Sequence, residues 1–367
     1  MNEANPAQLA SYLVWGSLAV SFAFGVVANR SHFCTMGAVS DILVMDNWTR
    51  MRMWMMALAI AILGTSGLQL AGMIDVSKSI YATPNFTWLS YVIGGMLFGA
   101  GMTLASGCGS KTLLRIGTGN LKSLVVAIVM AITAYMTLRG ILAIPRVSAI
   151  DAIAVKFAMP QDLPTLLSGG TGIARGTLVM ALALIIGGGL LVFALRSREF
   201  RTFDNLLGAL VAGLAIVAGW YLSGSIGHLA EDPQTLEEKF YATNSGRMES
   251  LSFVSPLAYS LELLMLWTDK SRVVTLGIAT TIGLCGGAFV HSVATRSFRL
   301  ESFRDARDLI NHLAGGVLMG FGGVLALGCT IGQGLSGMST LALGSFLALA
   351  SIIAGSVITL KWQYRNA

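Results

Sequence analysis

The chain has 367 residues, of which 54% are hydrophobic and only 11% are charged. Soluble domains have about 25% charged residues at a similar apolar content, so these proportions indicate that lipid surrounds much of the surface. The net charge of +6 does not indicate nucleic-acid binding, because the basic residues form short clusters between apolar runs rather than one dense patch interleaved with aromatic residues. The composition therefore excludes a soluble globular protein and a nucleic-acid-binding protein.

Nine apolar runs are long enough to cross a bilayer, which takes about 20 helical residues. They lie near residues 9–28, 51–72, 88–107, 120–143, 176–195, 203–223, 272–293, 311–328 and 340–360. A shorter apolar piece near 251–268 is expected to dip into the membrane or to lie on it. No Lys or Arg precedes the first run, so we expect it to be retained rather than cleaved as a signal peptide. The sequence predicts an all-α integral membrane protein with about nine transmembrane helices, forming a single transmembrane domain over residues 1–367.

The basic residues predict the orientation of the chain. Placing the N-terminus outside puts fifteen of the 24 Lys and Arg residues on the cytoplasmic side, as the positive-inside rule requires. We therefore expect a multi-pass protein of the bacterial plasma (inner) membrane, with a periplasmic N-terminus and a cytoplasmic C-terminus. The longest polar stretch, about 225–250, then lies outside. It is interpreted either as a cap over an entrance or, preferably, as a solvated linker.

An internal repeat gives the strongest indication of architecture. Residues 94–108 (GGMLFGAGMTLASGC) and 315–329 (GGVLMGFGGVLALGC) are identical at nine of fifteen positions, including the final Cys. By the helix count the first copy runs inward and the second outward. Inverted repeats of this kind frame midplane binding sites in many membrane proteins. The sequence thus predicts pseudo-symmetric halves, related by inversion.

Three of the four cysteines occur where an apolar run ends in small and polar residues. Cys34 lies in RSHFCTMG, Cys108 in ASGCGSKT and Cys329 in ALGCTIGQG. Such backbone cannot face lipid, so we expect re-entrant Gly- and Cys-containing segments that are buried in protein or line a cavity. Their open N–H groups are suited to binding an anion. Cys285, inside an apolar run, is interpreted as a packing residue.

Other kinds of site find less support in the sequence. The four cysteines form no CxxC and the histidines are scattered, so neither a metal site nor a close redox pair is expected. A thiol oxidoreductase is accordingly disfavoured, and no cofactor is predicted. The stretch GCGSKT departs from a phosphate loop because Ser110 precedes Lys111. Lys111 could attract an anion or merely anchor the chain at the membrane face.

These motifs carry a resemblance to a known family. The chain resembles the YeeE/YedE family of thiosulfate permeases in three stretches: HFCTMGAVSD at 32–41, SGCGSKTLLRIGTGN at 106–120 and GFGGVLALGCTIGQGLSG at 320–337. The resemblance implies a compact bundle of about nine helices and a non-enzymatic protein that takes up thiosulfate. It also implies that Cys34, Cys108 and Cys329 contact the ion in turn, and Gly109, Lys111 and Thr330 beside them are secondary candidates.

The sequence leaves two mechanisms open, together with other substrates. In one, protonated thiols and backbone N–H groups pass the intact anion along. In the other, a thiolate takes the outer sulfur as a persulfide, which requires a small cytoplasmic sulfur-carrier protein (TusA-like) as acceptor. Another sulfur or selenium species, or a general small-anion channel with incidental cysteines, is the alternative interpretation of the substrate.

Overall fold

Membrane-spanning helices dominate the computed structural model, which describes residues 6–232 and 235–365. The first half contains α1 Pro6–Arg30, α2 Thr35–Met45, α3 Thr49–Leu70, α4 Trp88–Leu104, α5 Gly109–Gly117 and α6 Leu121–Arg139. The connecting region contains α7 Ala143–Pro145, α8 Leu163–Thr171, α9 Arg175–Leu182 and α10 Gly188–Leu195. The second half contains α11 Phe203–Tyr221, α12 Ser255–Met265, α13 Leu276–Ala294, α14 Ala306–Leu325 and α15 Leu343–Arg365.

Short elements complete the described chain. A 3₁₀ turn covers Val76–Lys78, and wide π-helical turns cover Arg146–Ile150, Ala183–Gly187, Leu222–Ile226 and Gly332–Gly337. Two antiparallel pairs of two-residue strands are β1 Asn85–Phe86 with β2 Val155–Lys156, and β3 His228–Leu229 with β4 Lys239–Phe240. Strand is otherwise absent from the described ranges apart from isolated bridges.

The number of spans expected from the sequence is confirmed. Within the described residues, nine segments are long and apolar enough to cross a membrane, and each overlaps one of the nine predicted runs. The first and third contain a break, because α1 and α2, and likewise α4 and α5, are separated by the cysteine-containing segments. The piece near 251–268 becomes α12, which is too short to span.

The repeat folds as an inverted pair. α4 and α14 pack closely through glycines: a Cβ built on Gly94 would lie 2.7 Å from the carbonyl oxygen of Gly322, and one built on Gly101 would lie 2.7 Å from that of Gly315. Gly94 corresponds to Gly315 in the repeat and Gly101 to Gly322, so each copy presents the same surface to the other. This reciprocal contact is that of a two-fold axis, and it brings the ends of α4 and α14 to opposite levels of the membrane.

Further helix pairs follow the same symmetry. α1 packs along α13 as α11 packs along α3, and α2 contacts α15 as α12 contacts α6. The first half, α1 to α6, therefore corresponds to α11–α15, and the helices α8–α10 lie between the halves in sequence. α9 and α10 pack on α3.

Two faces of the bundle are defined by their loops. The face named here the basic face carries the loops 46–48, 118–120, 196–202 and 295–305. The Arg30–Asp204 ion pair (2.8 Å) and the hydrogen bond from Leu121 N to the Glu301 carbonyl (2.9 Å) connect elements there. The opposite face carries the segments 71–87, 140–162 and 227–254.

The polar stretch at 225–250 is folded against the opposite face. β3 and β4 lie within it, Phe240 and Met248 are buried, and Ile80 N donates to the Met248 carbonyl at 3.3 Å. Asn244 and Glu249 line a cavity. The stretch is therefore packed more closely than the preferred interpretation as a solvated linker anticipated.

Candidate functional site

The three candidate cysteines share one local structure. Each lies two residues after a non-glycine residue with a left-handed backbone, which ends the preceding helix, and just before a new helical segment. The left-handed residues are His32 (φ +53°), Ser106 (φ +55°) and Leu327 (φ +56°). Non-glycine residues in this conformation are uncommon and cluster at functional sites. Ser106 and Leu327 occupy equivalent positions of the repeat, so the geometry is repeated with the sequence.

The new helical segment in each case begins at the thiol. Gly37 N donates to Cys34 Sγ at 3.3 Å, and Gly332 N donates to Cys329 Sγ at 3.4 Å. The backbone N–H of Lys111 approaches the Cys108 thiol in the same way. Each sulfur therefore lies at the N-terminal end of a helical turn, where the free N–H groups and the helix dipole favour a negative ligand.

The fold brings the three thiols into one row. The Cys108 side chain neighbours that of Cys34 and also that of Thr330, the residue after Cys329. Cys108 and Cys329 are fully buried and Cys34 is partly exposed. All three are free thiols. Cys108 therefore lies next to the segments of both other cysteines, although the three are far apart along the chain.

The three secondary candidates lie beside this row. Gly109 is the first residue of α5 and is buried. Thr330 is fully buried, and its hydroxyl makes no hydrogen bond with the described residues. The Lys111 ammonium lies within electrostatic range of both Cys34 and Cys108. Cys285 lies apart from the row, where its thiol donates to the Leu113 carbonyl at 3.3 Å, in agreement with its interpretation as a packing residue.

Sequence reasoning missed a fourth unwound segment, residues 250–254. By symmetry its residues 251–254 correspond to 31–34, since α12 corresponds to α2, and Phe253 then matches Phe33 while Val254 occupies the place of Cys34. Phe253 is buried, with its Cβ 3.8 Å from a Cβ built on Gly109. The similarity of SHFCTMGAVS to SFVSPLAYS was the available signal, and it is too weak to find without the helix contacts.

Two cavities approach the row from opposite faces. The basic-face cavity, about 480 Å³, is lined by Ser106, Arg115, Thr118, Asn120, Lys122, Glu301, Arg304, Asp308 and His312. The opposite-face cavity, about 160 Å³, is lined by residues that include Arg146, Asn244, Glu249, Ser252 and Leu327. Each cavity therefore reaches the left-handed residue that precedes a buried cysteine, Ser106 before Cys108 and Leu327 before Cys329.

A buried tyrosine near Cys329 was also missed. Tyr81 lies in the segment between α3 and α4 and is only 2% exposed. Burial raises the pKa of the Tyr81 hydroxyl well above its usual range, so the group keeps its proton and remains a donor. No motif marks Tyr81 in the sequence, because it lies in a loop outside every apolar run.

The arrangement offers donors for an anion rather than ligands for a metal. Within residues 6–232 and 235–365, no group of three or more His, Cys, Asp or Glu side chains is placed to hold a metal ion. The row instead combines thiols, helix N-termini and, near Cys34, the positive charges of Lys111 and Arg50. The Arg50 guanidinium lies close to this cysteine, as a Cβ built on Gly37 would be 2.7 Å from its Nη1.

Comparison with known proteins gives the family. The family model described as sulphur transport matches residues 30–358. The thiosulfate transporter TsuA of Escherichia coli (strain K12) is 26% identical over 376 aligned positions, which cover 97% of this chain and 94% of that protein. The thiosulfate transporter TsuA of Spirochaeta thermophila is 27% identical over 361 positions, which cover 95% and 98%. These matches confirm the resemblance drawn from the cysteine motifs. The chain belongs to the sulphur transport family, whose members are membrane transporters and not enzymes.

Proposed function

We propose that this protein takes up thiosulfate into the cytoplasm along a path lined by Cys329, Cys108 and Cys34. The observation that carries the proposal is the row of thiols at helix N-termini, approached by a cavity from each face. The names of the two relatives supply the substrate. The proposed order is supported by Cys108, which neighbours both Cys34 and Thr330, the residue after Cys329.

The chemistry of the row is suited to this ion. Thiosulfate is a dianion, and a bare charge in the bilayer centre is very costly. N–H groups at the starts of α2, α5 and the 332–337 turn supply fixed donors that replace water. The thiols add weak, soft donors that match a terminal sulfur. Weak contacts in succession allow the ion to leave each site as well as enter it.

Orientation and location are part of the proposal. Residues of the basic face include the Arg and Lys clusters that the positive-inside rule assigns to the cytoplasm. The protein then lies in the plasma (inner) membrane, thiosulfate enters from the opposite-face cavity, and it leaves near Cys34 and Lys111. The positive charges near Cys34 attract the anion towards the exit.

Uptake of doubly labelled thiosulfate into liposomes tests the path. We expect Cys34→Ala, Cys108→Ala and Cys329→Ala each to lower uptake strongly, with the fully buried Cys108 and Cys329 the most sensitive because water cannot replace a lost thiol there. A Ser replacement keeps a donor but is shorter and harder, so partial activity is expected. Cys285→Ala is the matched control and should transport at the wild-type rate.

The two labels separate the mechanisms. Arrival of both sulfurs together supports passage of the intact ion. Arrival of the outer sulfur alone, and only with a sulfur-carrier protein (TusA-like) inside the liposomes, would replace the relay by persulfide transfer. Wild-type uptake in all three cysteine variants would contradict the proposed path and favour a general anion channel.

A further inference from the structure

Tyr81 presents a buried hydroxyl that the protein itself does not satisfy. The side chain is 2% exposed, and its oxygen makes no hydrogen bond with any described residue. The ring is held by an edge-to-face contact with Trp220, with centroids 6.1 Å apart. A buried hydroxyl that has lost its water and gained no partner destabilises the folded state. Such a group calls for a partner that the folded chain does not supply.

The hydroxyl lies beside the outermost thiol of the row. A Cβ built on Gly332 would be 3.4 Å from the Tyr81 hydroxyl oxygen and 2.6 Å from Ser252 Oγ. The N–H of this same glycine donates to Cys329 Sγ, and Tyr81 is within electrostatic range of Cys329. Two hydroxyls and one thiol therefore lie around Gly332, where the backbone comes so close to Ser252 that a side chain would clash.

Gly332 lies next to the opposite-face cavity. Ser252, which contacts Gly332, also lines this cavity, together with Arg146, Asn244 and Glu249. An anion entering from that face would meet Ser252 and Tyr81 before it reaches the Cys108 thiol.

We propose that the Tyr81 and Ser252 hydroxyls bind the oxygen end of an oxygen-bearing sulfur dianion while the Cys329 thiol faces its terminal sulfur. The inference rests on the proposed function and adds residues that determine the orientation and choice of the anion. Hydroxyl donors suit hard oxygen atoms, and the thiol suits a soft sulfur. An anion that has both oxygen atoms and a terminal sulfur can bind the two hydroxyls and the thiol together. Sulfate has no terminal sulfur and can bind only the hydroxyls in this way.

The variant Tyr81→Phe tests the site because it removes only the unsatisfied hydroxyl. Hydrogen bonds to a charged group are stronger than those between neutral groups, so we expect the KM for thiosulfate to rise about tenfold or more. Thermal stability without substrate should stay the same or increase, since no protein hydrogen bond is lost. Tyr91→Phe is the control: Tyr91 is also buried, but it packs against Phe86 and Gly344 and should leave the KM unchanged.

A second variant, Gly332→Ala, places a methyl group against Ser252 and beside Tyr81 while keeping both hydroxyls. Its methyl group would lie 2.6 Å from Ser252 Oγ, so we expect loss of uptake in a folded protein. Stabilisation by thiosulfate, measured as the shift in Tm with added ligand, reports binding without transport. The shift should be present in wild type and in Tyr91→Phe, and absent or much smaller in Tyr81→Phe.

The outcomes distinguish this site from the proposed path. Suppose that Cys108→Ala loses uptake, while Tyr81→Phe keeps the wild-type KM and the wild-type ligand-induced Tm shift. This result would overturn the site and leave the path standing. The Tyr81 hydroxyl would then bind only a water molecule. If the wild-type protein shows a ligand-induced Tm shift but no transport, and the shift is lost in Tyr81→Phe, the site is supported and the path is overturned.

Discussion

At the scale of single residues, the arrangement is one local motif used three times. A helix ends in a left-handed residue, and two residues later a cysteine begins the next helical segment. The backbone strain of His32, Ser106 and Leu327 is offset by the contacts that hold each break in place. The result is a thiol at the N-terminal end of a helical segment. A continuous helix would not place the thiol at a helix end, and a flexible loop would not hold it there.

Lys111 tests the electrostatic part of the path at the same scale. The sequence left open whether it attracts the anion or anchors the membrane face, and its position near Cys34 and Cys108 favours attraction. Lys111→Gln should raise the KM for thiosulfate about tenfold at low salt, and the difference should shrink as salt screens the charge.

Lys361→Gln provides the matched control, because Lys361 is an exposed basic residue near the end of α15. Uptake by this variant should equal that of wild type. Equal KM values in Lys111→Gln and wild type at low salt would leave Lys111 with an anchoring role alone.

At the scale of helices, the α4–α14 crossing holds the breaks before Cys108 and Cys329 in register. Gly94 packs on Gly322 and Gly101 on Gly315, so the two backbones approach more closely than any side chain would allow. This closeness lets the ends of both helices lie inside the membrane, where the cysteines begin the next segments. The same contacts explain four of the repeat's glycines, which are Gly94, Gly101, Gly315 and Gly322.

Substitution at this crossing should be costly. A Cβ on Gly322 would lie 2.6 Å from the Gly94 carbonyl oxygen, so Gly322→Ala should lower the free energy of unfolding by about 1–3 kcal/mol. Thermal unfolding in detergent measures the effect. Gly67→Ala is the control, because Gly67 in α3 is exposed and a Cβ built there would have no atom within 4 Å; it should be neutral or stabilise by up to about 1 kcal/mol. Equal losses in both variants would show that close packing is not what α4 and α14 require.

At the scale of the whole molecule, two inverted halves enclose the row of thiols. The symmetry is incomplete: Val254 occupies the place that Cys34 has in the other half, and the opposite face has the Ser252 and Tyr81 hydroxyls beside Gly332. A path with different ends can bind the anion by its oxygens on one side and release it among positive charges on the other.

The expected orientation has a direct test. The described residues contain nine candidate spans, an odd number, so we expect residues 6 and 365 to lie on opposite sides of the membrane. A fluorescent protein fused after residue 367 should fluoresce in the cytoplasm, while a periplasmic phosphatase fused before residue 1 should be active. Fluorescence of an N-terminal fluorescent protein and activity of a C-terminal phosphatase would show the inverted topology. The basic face would then lie outside, and the path from the opposite face to the basic face would lead out of the cell.

The sequence by itself determined the elements and their repeat. Hydropathy is a local property, so the nine spans follow from it, and the repeat at 94–108 and 315–329 indicated the inverted pair. The three cysteine motifs indicated the breaks, because backbone rich in Gly, Ser and Thr cannot face lipid. All of this depends on residues within one segment of the chain.

Only the tertiary structure decided which of these segments meet. Cys34, Cys108 and Cys329 are separated by 74 and 221 residues, so their order in space depends on how α1, α4 and α14 pack. The packed fold was likewise needed to recognise residues 250–254 as the fourth unwound segment. It was also needed to find the Tyr81 hydroxyl near Cys329. Tyr81 lies in a loop, and its role becomes visible only because the surrounding helices bury its hydroxyl without giving it a partner.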